Sequence, residues 1–220
     1  MSKLILSNAV GEHAKAQSEL SLPTFEAYAA KFGYQVKVGE ESPEGRSAHW
    51  GKIALLQEAV QEHDLVLWLD SDAMVVDFSE DIAGQLEPGC FQSLMMEQEN
   101  SRWNPNTGVW LLKGGKRSLD FLNHVWQLGP QDHPSWHDQA AVMRALGWVW
   151  YDWPKVCKIT EPSEYLSYTS WLDPEWNRIA DLYPHIKPRI EHWAGGPDRR
   201  QERIEKMAEL LAQMRSAGIV

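Results

Sequence analysis

Leu65-Val66-Leu67-Trp68-Leu69-Asp70-Ser71-Asp72 joins five apolar residues to two aspartates with one residue between them. Five apolar residues in succession read as a strand buried on both faces. Such strands belong to parallel or mixed sheets, whose ligands sit at the carboxyl ends of the strands. Asp70 and Asp72 are therefore expected where a ligand binds. Two carboxylates so close repel unless something positive lies beside them. A divalent cation carrying a diphosphate would satisfy both. The same eight residues also suit a strand ending in a turn with two capping aspartates.

Upstream of this stretch, Lys3 to Ser7 reads as a first strand. Ser21 and Pro23 mark a helix start, with Phe25, Tyr28, Ala29 and Phe32 at helical spacing and Gly33 as the stop. Tyr34 to Val38 alternates like a second strand, and residues 39–47 are loop by composition. Trp50 to Gln61 reads as a helix with Ile53, Leu56 and Val60 on one side. The order strand, helix, strand, helix, strand marks an α/β sheet with helices on its faces.

Downstream, Ala73 to Phe78 reads as a short strand, Asp81 to Leu86 as a short helix, and Phe91 to Met96 as a strand. Glu97 to Pro105 is polar and reads as a loop near the site. Asn106-Thr107-Gly108 leads into a strand at 109–112. Ser118 is read as the cap of a helix carrying Leu119, Leu122, Val125 and Trp126. Residues 129–135 are loop, Trp136 to Leu146 a helix, and 148–151 and 156–159 short strands. Residues 161–189 carry no clear pattern. Ile204, Met207, Leu210, Leu211 and Met214 make one face of a final docking helix. The organisation expected is one domain over 1–220. It divides into a first half at 1–113, a second at 114–200 and a C-terminal helix at 201–217.

The composition narrows the classes. At 220 residues, 43% hydrophobic and 24% charged, the chain is an ordinary globular domain. A net charge of -10 argues against nucleic acid or an anionic membrane as partner. Two cysteines, Cys90 and Cys157, form no disulfide framework and suit a reducing compartment. The N-terminal residues turn polar too soon for a signal peptide or membrane span, so a cytoplasmic location without a membrane anchor is expected. The 12 tryptophans fit core packing, and also fit platforms for sugar rings or bases.

Several pieces then fall in order: Trp50-x-Lys52 on a helix, the strand into Asp70-Ser71-Asp72-Ala73, Asn106-Thr107-Gly108 before a strand, Asp138-Gln139 at a helix start, and His192-Trp193-Ala194-Gly195-Gly196. In this order they resemble glycosyltransferase family 34, over roughly residues 3–200. The resemblance implies a Rossmann-like A-type fold with a mixed, mostly parallel sheet, in which 1–113 is the nucleotide-sugar-binding half and 114–200 the acceptor-side half. It implies a retaining transferase moving a hexose or pentose from a nucleotide diphosphate sugar, UDP- or GDP-linked, to a glycan or other hydroxyl acceptor. It further implies a Mn²⁺ ion, with Mg²⁺ as the alternative, held by the Asp-x-Asp motif (Asp70 and Asp72) and by His192. Carboxylate oxygen and imidazole nitrogen both suit Mn²⁺. Donor-side residues implied are Leu6, Ser7, Asn8, Trp50, Lys52, Asp70, Ser71, Asn106, Thr107 and Gly195. Asp138 and Gln139 are the residues implied beside the reacting sugar carbon. The family usually carries a lysine a few residues after the histidine. Here Pro197 and Asp198 stand in that region, and Arg199 or Arg200 is the substitute cation. Trp103, Trp136, Trp171 and Trp193 are candidate acceptor platforms.

Two other classes share parts of this pattern. A haloacid-dehalogenase-type phosphatase also has an apolar strand ending in Asp-x-Asp, and Asp70 would be its nucleophile. That motif normally comes near the chain start, and no later lysine with a paired acidic motif is evident. A non-enzymatic carbohydrate-binding module would use the tryptophans and has no need of the metal constellation.

Overall fold

The 65–72 stretch sits at the centre of the molecule. The computed structural model describes residues 1–99, 102–130, 136–151, 156–195 and 197–220. Its strands are β1 (Lys3–Asn8), β2 (Gln35–Gly39), β3 (Leu65–Leu69), β4 (Ala73–Val75), β5 (Gln92–Glu99), β6 (Arg102–Lys113), β7 (Trp148–Tyr151), β8 (Val156–Ile159), β9 (Thr169–Leu172), β10 (Arg178–Ile179) and β11 (Ile190–His192). Its helices are α1 (Glu12–Phe32), α2 (Gly51–Glu62), α3 (Lys116–Leu128), α4 (His137–Leu146) and α5 (Arg200–Ser216).

The main sheet has the order β2-β1-β3-β6-β5-β9. Only β6 runs against the others, pairing antiparallel with β3 and β5. The pairs β1–β2, β1–β3 and β5–β9 are parallel. A small sheet of order β10-β11-β4 lies after β3, and β7 pairs with β8 in a hairpin. The mixed, mostly parallel sheet is the architecture expected from the sequence.

Side chains alternate across the main sheet, as a two-residue period requires. Leu4, Leu6, Val66 and Trp68 pack with Ile53, Leu56, Phe121, Val125 and Val142, so α2, α3 and α4 cover one face. Ile5, Leu65, Leu67 and Leu69 pack with Phe25, Tyr28, Val75 and Ile190, so α1 and the small sheet cover the other. All five residues of β3 are buried, the reason its sequence lacks a polar residue. Each such side chain contributes about 2 kcal/mol by leaving water. Trp50, Trp110, Trp148 and Trp176 are among the largest fully buried side chains, so many tryptophans serve packing.

Three expectations change. The first helix begins at Glu12, well before Ser21, and Pro23 lies inside it. Proline removes the bond to the carbonyl four residues back, that of Glu19, which is exposed. The early half carries no apolar signature, because its buried residues are Gln17, Ser18 and Ser21. Residues 97–105 are mostly strand, not loop, since β5 and β6 run on as a hairpin past a bulge at Leu94/Met95. Ladder bonds use the backbone and so accept polar side chains there. Finally, Ser118 lies inside α3, whose N-cap is Gly115, and its hydroxyl donates to the Lys113 carbonyl.

Candidate functional site

β3 ends at Leu69, and the chain turns at once. The Asp70 N–H donates to the Gly108 carbonyl at 2.8 Å, and the Ala73 N–H to the Asp70 carbonyl at 3.0 Å. The turn sends the chain into β4, which pairs antiparallel with β11 in the register His192↔Ala73. The Trp193 N–H donates to the Asp72 carbonyl at 3.0 Å. The late His192-Trp193 segment is thereby sewn to the acidic turn by backbone bonds.

The result is a cluster in which one ligand atom from each of Asp70, Asp72 and His192 lies within 4.8 Å of the others. His192 Nε2 is 3.4 Å from Asp72 Oδ1 and 4.0 Å from Asp70 Oδ2. The imidazole is only 3% exposed, while both carboxylates reach solvent. On the far side, His192 Nδ1 lies 2.8 Å from Asn177 Oδ1. Gly108 makes room for the ring: a Cβ there would come within 2.1 Å of His192 Cε1.

Cations flank the cluster on two sides. Lys52 Nζ lies 2.9 Å from Asp70 Oδ1 and 3.4 Å from Asp138 Oδ2, and donates to the Thr107 carbonyl at 3.1 Å. Burial lowers the Lys52 pKa, but Asp138 and Asp70 outweigh it and the net shift is upward. Arg203 of α5 donates to Asp72 Oδ2 at 3.3 Å and to the Trp193 and Gly195 carbonyls at 3.1 Å each. Burial raises the Asp72 pKa, yet the His192 hydrogen bond, its charge and Arg203 hold the carboxyl below its usual value. Burial alone would lower the His192 pKa; the hydrogen bond and charge of Asp72, then Asp70, raise it overall.

The other residues anticipated from sequence fall into groups. Thr107 and Gln139 meet, the Thr107 N–H donating to Gln139 Oε1 at 3.2 Å. Asp138 is 6% exposed beside Lys52. Ser71 Oγ donates to Gln17 Oε1 at 3.4 Å, and Gln17 Nε2 is buried without a hydrogen-bond partner. Ser7 Oγ and Asn8 Oδ1 are also buried without one, at the end of β1. Leu6 is paired on both edges and wholly buried in the core. Trp50 is likewise in the core, edge-on to Trp126 and beneath the Arg46 guanidinium. Asn106 directs its amide inward, to Gly108, Asn177 and Glu97. Arg199 pairs with Asp181 and Glu202 on the surface.

Among the tryptophans, Trp171 is 36% exposed, Trp136 packs against the core, and the Trp103 side chain and Gly196 lie outside the described residues. Sequence reasoning missed Gln17, Asn177 and Arg203. Asn177 falls in the patternless 161–189 stretch, and Arg203 looks like any surface charge of an amphipathic helix.

No family model matches the chain, and no curated protein matches it in sequence. Solved structures do match in three dimensions. One is a glycosyltransferase involved in glycosylation of the major capsid of PBCV-1, at a TM-score of 0.69 and 20% identity, over 95% of this chain and 100% of that one. The fold is that of the A-type glycosyltransferases. The galactosyltransferase LgtC, solved with donor and acceptor sugar analogs, matches at a TM-score of 0.57 and 13% identity over 99% of this chain and 100% of its own. GlyE of Streptococcus pneumoniae TIGR4 matches at a TM-score of 0.61 and 13% identity, with this chain covering 64% of its length. No helix among the described residues is long and apolar enough to cross a membrane.

Proposed function

We propose that the chain is a metal-dependent, retaining glycosyltransferase that moves a hexose or pentose from a nucleotide diphosphate sugar to an acceptor hydroxyl. The observation that carries this reading is the Asp70, Asp72 and His192 cluster at the carboxyl end of β3, in an A-type glycosyltransferase fold. The order of motifs that resembles glycosyltransferase family 34 supports the same class.

The donor set fits a divalent cation. Two carboxylates supply hard oxygens, and an imidazole tied at Nδ1 presents Nε2 to them. Such an ion, Mn²⁺ or Mg²⁺, would supply Lewis-acid stabilisation of the charge on the departing diphosphate. The protein's own groups do the rest. Arg203, as well as the Arg199 suggested by sequence, offers a cation on the diphosphate side, with five donors in a fixed fork. Ser7 and Asn8 end β1, and Gln17 reaches Ser71 of the acidic turn, so these residues would lie on the nucleoside side of the site. Lys52 holds the Asp70 and Asp138 carboxylates in place. Asp138 would orient the donor sugar, and the Gln139 amide would face the positive character developing at the anomeric carbon. A solved LgtC structure carrying an active-site glutamine-to-glutamate change supports a role for a glutamine in that protein's site. Retention with same-face attack asks for no protein nucleophile, because the departing phosphate accepts the acceptor's proton.

The phosphatase reading would make Asp70 the nucleophile, but the solved structures that match along the chain are glycosyltransferases. Asp72→Ala tests the proposal. Calorimetry should show a nucleoside diphosphate binding the unaltered chain only with Mn²⁺, and the variant losing that binding and donor hydrolysis while keeping its fold. Full activity in the variant sinks the metal assignment.

A further inference from the structure

Asn177 sits at the end of a short 3-10 turn, has no exposed surface, and belongs to no motif recognised in the sequence. We propose that Asn177, held by Asn106, is a positioning residue that keeps the proton on His192 Nδ1 and leaves Nε2 as the ligand atom. The inference rests on the metal reading above.

One group in this series of bonds can act in only one way. The Gly108 backbone N–H donates, and it meets the Asn106 side chain at 2.9 Å. The accepting atom there is therefore the amide oxygen, Oδ1. The other end of that amide, Nδ2, donates to Glu97 Oε2 at 3.1 Å, in agreement. Asn106 Oδ1 accepts a second bond, at 2.9 Å, which only the Asn177 Nδ2 can donate. The Asn177 amide is thereby set, and its Oδ1 faces His192 Nδ1 at 2.8 Å. An amide oxygen cannot donate, so Nδ1 carries the proton. In either charge state of the ring, Nδ1 keeps it, and Nε2 is the nitrogen turned toward Asp72 and Asp70. Turning Asn177 over would set two amide oxygens against each other in a site closed to water. One backbone N–H in β6 thus dictates, through two asparagines, which nitrogen of a histidine on β11 is free to bind. Partners of this kind orient the ligand ring and raise its basicity.

The test uses the full chain and Mn²⁺ alone, with free Mn²⁺ read by electron paramagnetic resonance. Asn177→Leu and Asn106→Leu should each weaken Mn²⁺ binding on the order of 10- to 100-fold, although Asn106 does not touch the imidazole. Asn106→Asp with Glu97→Gln exchanges amide and carboxylate while keeping an oxygen toward Gly108 and Asn177. It should restore binding close to that of the unaltered chain. A second readout separates positioning from general support. ¹⁵N spectra of His192 in the metal-free chain, at a pH where the ring is neutral, should show the proton on Nδ1, and on a mixture of both nitrogens in Asn106→Leu. Unchanged Mn²⁺ affinity in a folded Asn177→Leu variant, or a bare Nδ1 in the unaltered chain, overturns the proposal. If Asn177→Leu fails to fold, Asn106→Leu and the spectrum of the unaltered chain decide. If the unaltered chain binds no Mn²⁺, the metal reading fails separately, and the Nδ1 proton still decides the Asn177 assignment.

Discussion

A methyl group at position 108 would have no room. It would lie 2.1 Å from His192 Cε1 and 2.8 Å from both ring nitrogens. Glycine-to-alanine changes in a strand usually help, because they restrict the unfolded chain. Here the ring must move, at a cost of about 1–3 kcal/mol for overpacking. Gly108→Ala should therefore lower the unfolding midpoint and weaken Mn²⁺ binding at least about tenfold, as for other disturbances around a ligand. Titration of free Mn²⁺ with an unshifted affinity would refute this. Arg203 offers a different test. Its guanidinium neutralises Asp72 much as a cation would, so the two compete. Arg203→Met keeps the apolar stem and removes the charge. Mn²⁺ alone should bind more tightly to this variant, while a nucleoside diphosphate with Mn²⁺ binds more weakly. Calorimetric affinities that move in the same direction would exclude a diphosphate-side role for Arg203.

At the scale of elements, Asp81 ties the amino-terminal edge of the sheet together. Lys3 of β1 donates to it at 2.8 Å, the Tyr34 hydroxyl at 2.6 Å and the Ala83 N–H at 3.0 Å. Burial raises the Asp81 pKa, but Lys3, Tyr34 and the backbone bond outweigh it, and the carboxyl titrates below its usual value. With the folded pKa depressed, the unfolded chain binds more protons as pH falls, so stability is lost on acidification. The window opens near the ordinary carboxylate value of about 4 and extends downward. Asp81→Asn should lower stability at neutral pH and flatten the acid arm of a plot of unfolding free energy against pH. An acid arm as steep as that of the unaltered chain would contradict the assignment. Elements whose burial is apolar, such as β3 and α2, were legible in sequence to within a residue or two. Those whose buried residues are polar were not. The first half of α1 buries Gln17 and Ser18, and the β5–β6 hairpin buries Asn104. Hydrophobic period carries no information where the hidden face is made of amides and hydroxyls.

For the whole molecule, α5 matters beyond its length. Met207, Leu211 and Met214 form a buried cluster with Met74 of β4, and Leu20 of α1 packs against it. One turn before Met207, the same helix delivers Arg203 to Asp72. Met207→Ala should cost about 2–5 kcal/mol by leaving a cavity. Because β4 carries the strand after the acidic turn, the variant should also lose affinity for a nucleoside diphosphate with Mn²⁺. A destabilised variant with unaltered affinity would show that α5 seats the fold without seating the site. The docking face of this helix was readable from its periodicity, whereas the use of Arg203 was not.

The sequence by itself determined the α/β class, the central buried strand and the acidic pair at its end. Local rules suffice for these: a run of apolar residues specifies a doubly buried strand, and the carboxyl end of a strand in such a sheet presents the next residues to ligand. His192 was reachable only through the order of motifs. Its place beside Asp72 depends on the β4–β11 pairing, which joins residues about 120 apart. The partners that tune it, Asn106, Gly108, Asn177 and Arg203, come from separate stretches of chain. Hydrogen bonds and close contacts between such stretches leave no periodicity in the sequence, because neither partner's neighbours record the other. Only the tertiary structure brings a backbone N–H, two amides and an imidazole into line behind the acidic turn.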